Sequence, residues 1–190
     1  RLEFQTPGLD VTHAALTQAF DEGVGRHFEM DWHISFANRR PRMAIFVSKH
    51  DHALMELLWR WQRGELRADI PLVISNHDAL RAEVERFGVR FEHVPFSRDS
   101  QPGDEAKILE LLADQAGFLV LARFMRILSG DFVSHYPHRI INIHHSFLPE
   151  VDDLKRMGRD LERQVLARAV RCHLEDRILI HGNKTIVFNP

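Results

Sequence analysis

Apolar residues in the middle of the chain form short continuous runs that alternate with longer stretches of helical periodicity. A continuous apolar run is typical of a strand that is buried on both faces of a sheet. The intervening stretches place apolar residues at i, i+3, i+4 and i+7, as in Leu54, Leu57, Leu58 and Trp61. This pattern predicts strands over 43–47, 70–75, 89–94, 118–122 and 139–144, with helices between them.

Strands that alternate with helices predict an α/β domain with a doubly wound, mostly parallel sheet. Ligands of such sheets bind outside the carboxyl ends of the strands, so the segments 48–52, 123–129 and 142–149 are the places to look for a site. A long amphipathic helix over 152–175 follows, and Gly182-Asn183 predicts the turn of a terminal hairpin.

The first 40 residues have a different pattern and predict a small separate α+β domain. This domain would contain a strand at 2–4, a helix that Asp10 would cap and a strand over 28–36. Two strands and one helix are too few to fold alone. A charged stretch containing Pro41 follows and is a plausible linker. We therefore divide the chain into residues 1–40 and residues 41–190.

Composition narrows the class of protein. The 25 basic and 27 acidic residues give a net charge of −2, which provides no electrostatic reason to expect nucleic acid or a membrane surface as a partner. No apolar run approaches the length of a transmembrane helix. The single cysteine, Cys172, excludes an internal disulfide and fits a reducing cytoplasm.

Thirteen histidines raise the question of a metal site. His50 with His52, and His135 with His138, are spaced as two ligands could be, but neither a cysteine cluster nor a His-Glu-x-x-His pattern accompanies them. We interpret these residues as polar surface histidines and predict no metal site.

The segment 142–149, Asn-Ile-His-His-Ser-Phe-Leu-Pro, ends the last predicted strand of the sheet. In an extended backbone the side chains of Asn142 and His144 share one face, about 6.6 Å apart. An amide that donates hydrogen bonds and an imidazole that transfers a proton could act together on a small reactant between them. On spacing alone, a strand end with incidental polar residues remains the simpler explanation.

This segment resembles the active-site motif of folate-dependent formyl transfer enzymes, and most of all that of the formyltetrahydrofolate deformylases. The resemblance implies that Asn142 and His144 are catalytic. It also implies that His145, which stands where the transferases usually have proline, belongs to the substrate-binding residues.

A second stretch, 121–129, is similar to the family segment whose backbone lines the pterin pocket. The positions that match are Arg126, Ile127 and Leu128, and the resemblance implies that they bind substrate. The loop 48–52 has no glycine and replaces the loop that holds the substrate phosphate in glycinamide ribonucleotide transferases. This replacement argues against that acceptor and agrees with water as the acceptor.

The resemblance extends from about Pro41 to the C-terminus and implies a hydrolase that cleaves formyltetrahydrofolate to tetrahydrofolate and formate, in one-carbon and purine metabolism. It implies no bound cofactor, since the folate is the substrate. Residues 1–40 resemble the second part of an ACT domain, the regulatory module found ahead of the catalytic domain in these enzymes. That module implies a small amino acid as effector and a homo-oligomer.

One part of the family pattern is missing. The family carries a catalytic Asp on a long segment after Phe-Leu-Pro, whereas here only 150–153 leads into the last helix, and Asp152 and Asp153 are better explained as its N-terminal cap. We therefore expect the sequence to be interrupted between Pro149 and Val151. Two alternatives stay open, namely a formyltransferase with an amine acceptor and a catalytically inactive folate-binding or regulatory protein.

Overall fold

The computed structural model describes residues 11–30, 32–36, 38–96, 100–143, 152–182 and 184–188. The chain divides into two compact units, Arg1–Arg39 and Arg40–Pro190. The predicted interruption after Pro149 lies outside the described residues, as do the predicted strand at 2–4 and the residue assigned as the first helix cap, Asp10.

The first unit contains helix α1 (His13–Phe20), which continues into a π-helix, Asp21–Gly25. The predicted helix is therefore confirmed. Its N-terminal cap is Thr12, whose side chain accepts a hydrogen bond from the Ala15 N–H. The strand predicted over 28–36 is wrong, because the described residues of that stretch form turns and irregular backbone. A strand needs a neighbour for its backbone groups, and the described part of this unit contains none.

The second unit is built on a five-stranded sheet with the order β3-β2-β1-β4-β5, in which all neighbouring strands are parallel. The strands are β1 (Met43–Val47), β2 (Leu72–Ser75), β3 (Arg90–His93), β4 (Phe118–Ala122) and β5 (Ile140–Asn142). Each predicted strand is present, and the bounds of β1 and β4 agree with the prediction. Both of these inner strands are buried along their whole length.

Helices cover both faces of this sheet, which confirms the predicted α/β architecture. They are α2 (His52–Gln62), α3 (Arg81–Arg86), α4 (Gln101–Leu112), α5 (Gly130–Ser134) and α6 (Asp152–Leu174). On one face, Ile45 and Val120 pack in a core with Leu57 of α2 and Val170 of α6. On the other face lies a second core, to which β1, β4, α4 and α5 contribute Phe46, Leu119, Ile108 and Phe132.

The chain ends in the predicted hairpin, formed by β6 (Ile178–His181) and β7 (Lys184–Val187), which pair in antiparallel register. Gly182 adopts a φ of 59° in the turn, a conformation that glycine reaches at no steric cost. Among the described residues, no helix combines the length and the apolar character needed to cross a membrane.

Candidate active site

The carboxyl ends of the parallel strands meet at one edge of the sheet, as the sequence predicted. The segment 123–129 leaves β4 at this edge, between the loop that follows β1 and the end of β5. This placement brings the predicted substrate-binding segment to the same edge as Asn142, one of the two predicted catalytic residues.

Hydrogen bonds from neighbouring elements fix the segment 123–129 at several points. The buried Ser48, just after β1, donates through Oγ to Asn76 Oδ1 (2.7 Å) and accepts from the Met125 N–H (3.1 Å). Gln101, at the start of α4, donates through Nε2 to the Ile127 carbonyl (3.0 Å). Contacts from the end of β1 and from the start of α4 therefore hold this loop, although the side chain of Ile127 is 87% exposed.

Glu105 of α4 holds the far end of the loop. Its carboxylate, 6% exposed, accepts from the Ser129 N–H (2.8 Å) and from Ser129 Oγ (2.5 Å), and Gln101 donates to it as well (3.0 Å). Burial alone would raise the pKa of this carboxyl group. The hydrogen bonds from Ser129 and Gln101 outweigh burial, so the pKa lies below its ordinary value of 4.5.

Replacing Glu105 by Gln is expected to lower the free energy of unfolding by about 1–3 kcal/mol at neutral pH, because a charged acceptor of buried hydrogen bonds is lost. Since the folded-state pKa is the lower one, this stabilisation is fully present above pH 4.5 and disappears as the pH falls through the folded-state value. Urea unfolding of both proteins over a pH series should show the difference shrinking in acid. Glu110→Gln, an exposed change on the same helix, is the control. If the difference in free energy of unfolding stayed constant down to acid pH, Glu105 would not stabilise the fold as an ionised hydrogen-bond acceptor.

Asn142 is the last residue of β5, and its side chain is exposed. Its strand neighbour on β4 is Leu121, two residues before the loop begins. Ile140 packs in the core on the α4 and α5 face, and Ile141 packs in the opposite core. The alternation of the strand directs Asn142 to the α4 and α5 face, where Leu128 of the loop also packs.

The two predicted histidines, His144 and His145, lie outside the described residues. The prediction that His144 shares a cleft with Asn142 therefore stays a prediction. Among the described residues, no group of three or more His, Cys, Asp and Glu side chains is arranged to hold a metal ion.

The structure also contains a buried ionic cluster on the α2 and α6 face, which the sequence analysis missed. Glu162 of α6 contacts His52 through its Oε2 and the Nε2 of the ring (2.9 Å), and the same oxygen lies 3.3 Å from Nη1 of Arg123. The three side chains are only 7–13% exposed. The interpretation of His52 as a surface histidine is therefore wrong. Its partner is 110 positions away along the chain, so no local pattern could have indicated the contact.

His50 lies at the border of this cluster, with its ring centroid 6.4 Å from that of His52, and it is exposed, although not completely. Partial burial lowers the pKa of its imidazole, and the nearby Arg123, His52 and Arg159 lower it further, against a smaller opposing effect of Asp51. The neutral ring is favoured as a result.

Comparison with known proteins shows the family to which this chain belongs. Residues 41–170 match the formyl transferase family. The formyltetrahydrofolate deformylase of Bacillus subtilis is 40% identical over 237 residues, which cover all of this chain and 79% of that protein. The chain belongs to the formyltetrahydrofolate deformylases.

Two other deformylases agree with this assignment. The one from Synechocystis is 37% identical over 99% of this chain and 82% of its own length. The crystal structure of the deformylase from Pseudomonas syringae pv. tomato is 34% identical and superimposes with a TM-score of 0.88, over 96% of this chain and 77% of that one. The family resemblance that we inferred from the segments 121–129 and 142–149 is thus confirmed.

The comparison with the Bacillus deformylase also shows a difference in length. Its aligned region extends over 237 residues, whereas this chain has 190. Part of the relative therefore has no counterpart in this chain.

Proposed function

We propose that the chain hydrolyses formyltetrahydrofolate to tetrahydrofolate and formate, with water as the acceptor. The observation that carries this proposal is the similarity to proteins named formyltetrahydrofolate deformylase over essentially the whole of this chain. In the reaction, a bond forms between the water oxygen and the formyl carbon, and the bond between that carbon and the folate nitrogen breaks. The nitrogen takes up a proton as it leaves.

Asn142 is proposed to stabilise the charge that develops on the formyl oxygen. Its exposed amide stands at the carboxyl end of β5 and can donate two hydrogen bonds. A donor directed at an oxyanion contributes roughly 3–4 kcal/mol to transition-state stabilisation in comparable sites.

His144 is proposed to deliver the proton to the departing folate nitrogen, or to order the attacking water. His145 is proposed to contact the substrate. Neither a metal nor a redox cofactor has a part in the proposed reaction, because an oxyanion donor and a proton donor supply the chemistry that the hydrolysis of an amide-like bond needs.

The segment of Arg126, Ile127 and Leu128 is proposed to bind the pterin ring through its backbone. Support for this comes from the hydrogen bonds that hold the segment in place before a ligand arrives, from Ser48 on one side and Gln101 on the other. A loop that is already ordered loses little conformational entropy when it binds a planar ring.

Regulation and assembly are proposed from the N-terminal residues. Residues 1–40 would belong to an ACT-like domain that binds a small amino acid and pairs subunits in a homo-oligomer. The protein would act in the cytoplasm, in the one-carbon metabolism that supplies purine synthesis.

The catalytic Asp expected from the family is proposed to belong to a segment that is absent from this sequence near Pro149. The longer aligned region of the Bacillus relative supports such an absence. If the missing segment is a true deletion, the alternative of a folate-binding protein without activity gains weight. The chain also matches the formyl transferase family, so the second alternative is transfer of the formyl group to an amine.

Incubation of the protein with formyltetrahydrofolate alone separates these functions. Release of free formate is the expected result. Formyl transfer that requires an added amine would overturn the hydrolase in favour of the transferase. Binding without turnover in either assay would identify an inactive folate-binding protein.

A further inference from the structure

Arg123 is the first residue after β4 and has an unusual backbone conformation. Its φ of 58° lies in the left-handed region, which is sterically unfavourable for a residue with a side chain. Such a conformation persists where the surrounding structure over-determines it. The side chain is 7% exposed, and its Nη1 lies 3.3 Å from Oε2 of Glu162 on α6.

The left-handed turn changes the face of the sheet to which Arg123 points. Ala122 packs in the core on the α2 and α6 face, so a continued strand would direct the next side chain to the opposite face. Arg123 instead reaches Glu162, on the helix that covers the same face as Ala122. The left-handed turn thus places the side chain on the face where the contact with Glu162 is made.

The same turn sets the start of the predicted substrate loop. Phe124 follows directly and packs against Phe46 in the core on the other face (ring centroids 5.3 Å apart). The Met125 N–H then reaches Ser48 Oγ. A change in the backbone at Arg123 would move the whole segment that leads to Leu128.

We propose that Glu162 is a positioning residue for folate binding: its carboxylate holds Arg123 in the left-handed conformation from which the segment 124–128 starts. This inference rests on the proposed function, since it takes that segment as the pterin site. Glu162 would thus link the C-terminal helix α6 to the substrate without touching it. Removal of its charge would break the ion pair of the buried Arg123 and would free the turn to relax.

The test uses the affinity for tetrahydrofolate, the proposed product, measured by titration calorimetry on the intact chain, together with KM and kcat. Glu162→Gln is expected to weaken tetrahydrofolate binding roughly tenfold and to raise KM to a similar extent, with kcat changed about twofold or less. Asp160→Asn, which removes a half-exposed carboxylate of α6 that pairs with Arg163, should leave both unchanged.

A double-mutant cycle distinguishes positioning from simple packing of the helix. Glycine adopts the left-handed conformation freely and carries no cation, so in an Arg123→Gly background the further change Glu162→Gln should not alter tetrahydrofolate affinity. An equal loss in both backgrounds would overturn the proposal, as would wild-type affinity in Glu162→Gln. Should Glu162→Gln fail to fold, Arg123→Lys keeps the cation without the fixed guanidinium geometry and should show the same roughly tenfold loss, whereas unchanged affinity would overturn the proposal.

The assay of formate release by the wild-type protein is kept separate. A wild-type protein that binds tetrahydrofolate but releases no formate would contradict the proposed hydrolase, while the binding cycle would still decide the role of Glu162. A wild-type protein that does not bind tetrahydrofolate would overturn both.

Discussion

Asn142→Ala is expected to lower kcat roughly 100- to 1000-fold and to change the affinity for tetrahydrofolate only about threefold or less. The oxyanion that the amide would stabilise exists only beyond the ground state, so its loss appears in turnover and not in binding. Formate release gives kcat, and calorimetric titration with tetrahydrofolate gives the affinity.

Two further variants sharpen this experiment. Asn142→Asp keeps the shape of the side chain but replaces its two N–H donors by an acceptor, so its turnover should be at least as low as that of the alanine variant. Asn38→Ala, an exposed change in the first unit, should behave as wild type. Unchanged turnover in Asn142→Ala would remove this residue from the mechanism, and a parallel loss of affinity would make it a binding residue.

Phe46→Ala is expected to lower the free energy of unfolding by about 3–5 kcal/mol, the range measured for aromatic residues removed from a core. Phe46 lies on β1, is fully buried, and packs edge-on against Phe124 and Phe132 with ring centroids 5.3 and 6.3 Å away. Because the core is close-packed, the neighbours fill the cavity only in part. Urea unfolding followed by circular dichroism measures the change.

Phe46→Leu keeps most of the apolar volume and should cost clearly less than the alanine variant. Trp59→Ala removes a side chain that is 47% exposed and should cost about 1 kcal/mol or less. Equal effects of the alanine changes at 46 and 59 would show that Phe46 is not the centre of this core.

The inner strands were the easiest elements to predict from the sequence. β1 and β4 are buried on both faces, so each appears as an uninterrupted apolar run that polar residues bound. The helical spacing of apolar residues over 152–175 predicted the long helix α6 equally well. For the candidate site, the prediction of a parallel sheet was enough to place 123–129 and Asn142 at one edge, the one where the strands end.

Long-range contacts explain what the sequence could not show. Asn76 is of a residue type that often caps a helix, but α3 begins only at Arg81, and the side-chain Oδ1 of Asn76 accepts a hydrogen bond from Ser48 Oγ instead. His52 was taken for a surface residue because its acidic partner, Glu162, is distant in the chain. In both cases a tertiary partner overrides a local preference, and local patterns do not contain such partners.

The pairing of β1 with β4 has a consequence for how the site forms. Met43 lies opposite Phe118, so this central pairing joins segments that are far apart in the chain. Closing so long a loop costs conformational entropy before the strands make their stabilising contacts. Sheets dominated by such pairings fold slowly, because few of their contacts are local. The segment 123–129 reaches its anchor at Ser48 only once β1 and β4 have met. A nascent or partly refolded chain can therefore contain most of its helices and still lack the loop conformation that we propose for folate binding.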